Sequence, residues 1–150
     1  MRTKTIVGIV VAIIAVIAPL IFLIGGGIGA KERLIKDVSY IGFKAGEWLA
    51  EEFTTKPEEK GWYLAYELKA NNETARFTAY LLKCSARTFF DTLANKPPTE
   101  WDPGIIAWKG SGGSKMTGEI ADLEGSVVYT FVFMCQIGSL GANKLTLVRP

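Results

Sequence analysis

Histidine, the side chain most often used to move protons near neutral pH, is absent from all 150 residues. Its absence excludes Ser-His-Asp and Cys-His nucleophilic chemistry, most zinc and iron sites, haem ligation through imidazole and a histidine pH switch. Carboxylates remain. Glu51-Glu52 and Glu58-Glu59 are adjacent pairs with Lys56 and Lys60 close by. Neighbours on a strand point to opposite faces, so neither pair converges on a proton or a cation by itself. Asp122-Leu123-Glu124-Gly125 puts alternate carboxylates on one side but lacks the further oxygen ligands that calcium requires. Gly110-Ser111-Gly112-Gly113-Ser114-Lys115 has the texture of a phosphate loop, with the wrong spacing and no helical pattern after it. The expectation is a chain with no catalytic, cofactor-binding or metal site, and no enzyme.

Two cysteines, Cys84 and Cys135, stand 51 residues apart at the ends of apolar runs. Without a Cys-x-x-Cys pair, neither a redox motif nor a zinc knuckle is supported. Two readings stay open. In an oxidising space they form a disulfide, worth about 4 kcal/mol for a loop of that size in the chain-entropy account. Otherwise they are free thiols packed as small apolar residues. Asn72-Glu73-Thr74 is a glycosylation sequon in an expected turn.

The elements that must position these groups begin with an anchor. Residues 6–24 are apolar, and no charge interrupts the chain from Thr5 to Ala30. As a helix these 19 residues would cover roughly 28 Å, close to the hydrocarbon thickness of a bilayer. The apolar core is longer than that of a cleavable signal, and Ile28-Gly29-Ala30 makes a poor cleavage site. The expected organisation is an N-terminal tail (1–5), a transmembrane helix (6–24), a Gly-rich exit and linker (25–37) and one domain (38–150). Gly8, Ala12, Ala15 and Ala18 fall on one side of the helix, a small-residue face against which a second helix could pack closely. Gly and Ala are also simply common in membrane helices.

Arg2 and Lys4 account for the whole positive excess of two, so the rest of the chain is neutral. A neutral, interspersed charge set offers no basic stripe for DNA or RNA, and no nucleic-acid partner is expected. Basic residues lie on both sides of the helix, so their count does not orient it. The short signal-like tail and the cysteine pattern favour a single-pass protein of the cell membrane with its C-terminal domain outside the cytoplasm.

The domain reads as strands. Trp62, Leu64, Tyr66 and Leu68 alternate with polar or small residues, and Ala75, Phe77, Ala79 and Leu81 do so again after Asn71-Asn72. This pattern predicts an antiparallel hairpin. Residues 126–135 are β-branched and aromatic on both faces, the profile of a central strand covered on both sides. Residues 144–149 alternate again, and shorter candidates lie at 37–43, 47–53, 105–109 and 115–121. Signals at this spacing predict an all-β antiparallel sandwich of seven or eight strands, with 110–114 as a hairpin tip. Region 85–104 departs from it: a short helix at 86–94, then an irregular course imposed by Pro97-Pro98 and Asp102-Pro103-Gly104. Phe89, Phe90, Trp101 and Trp108 in and around this region are a candidate contact patch, with core filling as the favoured alternative.

The "Phe-Lys-Ala-Gly-Glu-Trp" turn, the strand pair ending "Phe-Thr-Ala-Tyr-Leu-Leu", the aromatic segment and "Leu-Glu-Gly-Ser-Val-Val-Tyr-Thr-Phe-Val-Phe" give residues 38–149 a recognisable order. That order resembles the small jelly-roll sandwiches of the Golgi-dynamics (GOLD) type and their uncharacterised microbial relatives. The resemblance lies in strand order and texture, without a signature residue, and it implies a binding or cargo-adaptor role. Many such proteins carry their anchor at the other terminus. Together these features predict a non-enzymatic membrane protein whose sandwich contacts other membrane or surface proteins, as an accessory subunit or binding module. The alternative is a self-assembling structural protein of a surface layer, filament or virion membrane.

Overall fold

The structure is a computed structural model and describes residues 31–150. The apolar stretch 6–24, with Gly8, Ala12, Ala15 and Ala18, lies outside these residues. Among the described residues no helix is long and apolar enough to cross a membrane. Leu34–Pro150 forms one unit.

Eight strands are present among the described residues: β1 (Glu32–Phe43), β2 (Trp48–Thr54), β3 (Tyr63–Ala70), β4 (Phe77–Leu82), β5 (Ile106–Gly112), β6 (Lys115–Ile120), β7 (Val128–Cys135) and β8 (Ser139–Val148). They form two four-stranded sheets, ordered β1-β8-β3-β6 and β2-β7-β4-β5. The all-β antiparallel sandwich expected from the alternation is therefore what the chain builds. β1 starts at Glu32, so residues 32–37, expected as linker, are strand.

Connectivity differs from the expectation at two places. β3 and β4 do not form a hairpin: β3 pairs with β6 and β8, whereas β4 pairs with β5 and β7. The Asn71–Arg76 turn crosses from one sheet to the other. Likewise β5 and β6 belong to different sheets, and Gly110–Gly112 is strand rather than hairpin tip. Alternation specifies a buried face, and a strand satisfies it equally well beside its chain neighbour or across the core from it.

Between the sheets, Leu64, Leu68, Leu145 and Leu147 meet Phe77, Ala79, Leu81, Phe131 and Phe133, all fully buried. β7 lies between β2 and β4. Its outward Thr130 and Val132 are also fully buried, because the segment between β4 and β5 folds over that face. This covering explains why β7 is apolar on both sides. The segment starts with a helical turn (Ala86–Thr88) capped by the Ser85 hydroxyl, which accepts from Thr88 N–H. A five-residue π-type turn (Phe89–Leu93) and a 3-10 turn (Pro98–Glu100) follow. Phe89, Leu93 and Trp101 pack from it onto Leu82 and Val132.

Candidate functional site

The most exposed large apolar side chain among the described residues is Tyr40, at 88%. Its φ of +60° lies in the left-handed region that disfavours a side chain with a Cβ. The consequence is local: Ser39 and Tyr40 are both exposed in succession, breaking the alternation of β1 as a bulge does. A groove of about 410 Å³ opens beside the ring, between β1, the end of β3 and the start of β8.

Backbone and carboxamide bonds build its walls. Asn71 N–H donates to the Leu140 carbonyl at 2.7 Å, and Leu140 N–H donates back to Asn71 Oδ1 at 3.2 Å. The Ser139 hydroxyl also donates to Asn71 Oδ1. β8 presses so closely here that a Cβ on Gly141 would lie 1.8 Å from the Lys69 carbonyl oxygen and 2.6 Å from the Phe43 ring. Only glycine permits that approach. Ala70, Gly141 and Ala142 make an apolar floor, and Leu140, 51% exposed, stands at the edge with Tyr40. Lys69 lies within 3.6 Å of Glu67, so its charge is directed along β3. An apolar floor with a polar rim suits an apolar side chain of a partner, not proton transfer.

A second polar group sits in the seam between the two sheets. Glu51 on β2 is half-buried, opposite Phe131 on β7. Its carboxylate lies 3.8 Å from Lys36 Nζ and accepts from Asn143 Nδ2 at 3.4 Å. Burial pushes the Glu51 carboxyl up from its usual range, and the Lys36 ammonium works against that rise. Asn143 is fully buried, and its Oδ1 has no hydrogen-bond partner among the described residues.

Of the two readings left open for Cys84 and Cys135, the structure has the free thiols and not the candidate disulfide. Cys135 faces Phe77 in the β4–β7 register, while Cys84 lies two residues beyond Leu82, which faces Thr130. At about 3.3 Å per residue the five positions between those pairs already exceed the roughly 7 Å that a disulfide spans. Burial and the Glu52 carboxylate both raise the Cys84 thiol above its usual range, so it is a poor nucleophile.

The aromatic residues also separate. Phe89 and Trp101 are buried on the outer face of the second sheet, where the Trp101 indole N–H donates to the Leu93 and Lys96 carbonyls at 2.9 and 3.2 Å. Trp48, half-buried, packs on both. Trp108 is half-buried in the inner core against Tyr66 and Phe131. Only Phe90 is exposed, so the four do not make one contact patch.

Three of the carboxylates singled out above serve the backbone or pair. Glu52 accepts from Ala86 N–H at 2.8 Å and Glu59 from Lys56 N–H at 2.7 Å. Glu124 pairs with Lys83, whose ammonium is held above its usual range mainly by that hydrogen bond. Among the described residues no three His, Cys, Asp or Glu side chains converge on a metal position. Asn72 lies in the crossing turn, where Thr74 N–H and Thr74 hydroxyl both donate to its Oδ1, at 3.0 and 2.7 Å.

Sequence reasoning misses Tyr40 and Leu140. Leu140 lies in a Gly/Ser/Asn stretch that reads as a turn, and no local signal places a tyrosine at positive φ. A scan against protein-family models finds no match for this chain, and a search of curated proteins finds none.

Proposed function

We propose that the chain is a non-enzymatic, single-pass membrane protein whose sandwich, held outside the cytoplasm, binds other proteins through the Tyr40–Leu140 groove. The observation that carries this reading is Tyr40: an aromatic ring 88% exposed on a backbone conformation that costs free energy. Such an outlier persists where function needs it more than the fold does. Tyr is also a favoured anchor at protein interfaces, where its ring contributes large area at low conformational cost. The uncharged stretch before Lys31 supports the anchor. Support for a jelly-roll reading of the sandwich, and with it the GOLD-type resemblance, comes from the strand orders β1-β8-β3-β6 and β2-β7-β4-β5.

The test is extraction of the full chain from its native membrane in mild detergent, followed by native-gel sizing and mass spectrometry. Co-migration with unlike proteins at fixed ratio, lost on Tyr40→Ala, is the expected result. Unchanged co-migration in Tyr40→Ala would overturn the assignment of the groove. One observation favours the self-assembly alternative: β1 is a twelve-residue strand at the edge of its sheet, open to pairing with another copy. A ladder of the chain alone on the native gel would establish that second reading.

A further inference from the structure

We propose that Asn72 is a site of N-linked glycosylation. The inference rests on the reading above that the sandwich lies outside the cytoplasm. The sequon Asn72-Glu73-Thr74 lies in the turn that crosses from β3 to β4, where Glu73 and Thr74 are exposed and Asn72 is partly so. That turn is at the end of the sandwich where β1 finishes, since Phe43 packs on Phe77 there.

The local chemistry fits the acceptor side of such a transfer. Asn72 Nδ2 makes no hydrogen bond among the described residues, while its Oδ1 accepts both the Thr74 N–H and the Thr74 hydroxyl. A donor on Oδ1 stabilises the charge that gathers there as a proton leaves Nδ2, which lowers the cost of the proton loss that frees the nitrogen to attack. In the step, Asn72 Nδ2 bonds to the anomeric carbon of a sugar carried on a lipid diphosphate, and the bond from that carbon to the diphosphate oxygen breaks. The lipid diphosphate departs with the electron pair, and the amide proton passes to a base of the transferase. No oxidant or reductant is involved. The backbone of Asn72 is fixed independently, its N–H donating to the Ser139 hydroxyl at 3.2 Å. Asn71 lines the groove and Asn72, the next residue, does not.

The experiment is intact-mass measurement of the full chain isolated from the membrane of the cells that make it, with Asn72→Gln, Thr74→Ala and Thr74→Ser expressed in the same cells. Wild type and Thr74→Ser are expected to exceed the sequence mass by a glycan, and Asn72→Gln and Thr74→Ala to match it. An unmodified wild type, or a glycan that survives Asn72→Gln, overturns the proposal. Protease added outside intact cells separates the two levels of failure. If the sandwich is digested and the wild type carries no glycan, this inference alone fails. If the sandwich is protected, the outside orientation fails and the glycosylation inference fails with it. Unchanged thermal melting of Asn72→Gln shows that a lost glycan does not reflect a lost fold.

Discussion

Replacing Tyr40 with glycine should make the domain more stable while weakening its contacts. The ring is 88% exposed and φ is +60°, so the side chain contributes little burial to the fold. A residue with a Cβ in the left-handed region costs about 1–2 kcal/mol, which glycine recovers. Against this, glycine gives the unfolded chain extra freedom worth roughly 0.5–1 kcal/mol. The balance is a gain of about 0–1.5 kcal/mol, centred on about 0.75, or a rise in melting temperature of about 3 °C for a domain of this size. Tyr40→Ala keeps the Cβ and its strain and should stay within about 0.5 kcal/mol of wild type. Urea and thermal unfolding, followed by the fluorescence of the four tryptophans, measure both variants in the full chain. Both variants should also lose co-purifying protein. A loss of 1 kcal/mol or more in Tyr40→Gly would refute the reasoning, because the ring would then be part of the core.

Three further outcomes follow from the packing. Trp101→Ala should cost about 3–5 kcal/mol in urea unfolding, as expected for a buried aromatic. Trp101→Phe, which loses the indole bonds to Leu93 and Lys96 and part of the buried ring volume, should cost less, about 1–3 kcal/mol; near-wild-type stability of Trp101→Ala would make that face an open surface. Burial raises the Glu51 carboxyl above the usual 4.5, so the folded state holds its proton more tightly than the unfolded chain does. Stability from this group is full below 4.5 and declines as pH rises through the folded value. The stability of wild type relative to Glu51→Gln should therefore fall across that window, and urea midpoints that diverge in the opposite direction would reverse the sign of the burial argument. Because both thiols are free and at opposite ends of β7, adding a reductant should leave the melting temperature unchanged; a drop of several degrees would reveal a bridge.

Period-two alternation in 62–69, 75–81 and 144–149, and the doubly apolar run at 126–135, are local properties, and local properties suffice to mark strands and their buried faces. The missing histidine is equally plain in the chain, and it narrows the chemistry without any structure. Strand partners are another matter. β3 and β4, with a short Asn-rich turn between them, pass every local test for a hairpin, yet they lie in opposite sheets because their inward leucines and aromatics fill one core from both sides. The same non-local pairing decides that Cys84 and Cys135 stand too far apart to bridge. It also decides that Phe89 and Trp101 cover the outer face of β7 while Trp108 enters the inner core. Tyr40 lies furthest from what the chain reveals by itself. Its positive φ has no local signal in the chain, and the groove beside it is lined by residues of β1, β3 and β8 that only the fold brings together, with Gly141 allowing β8 an approach to the β3 backbone that a Cβ would block.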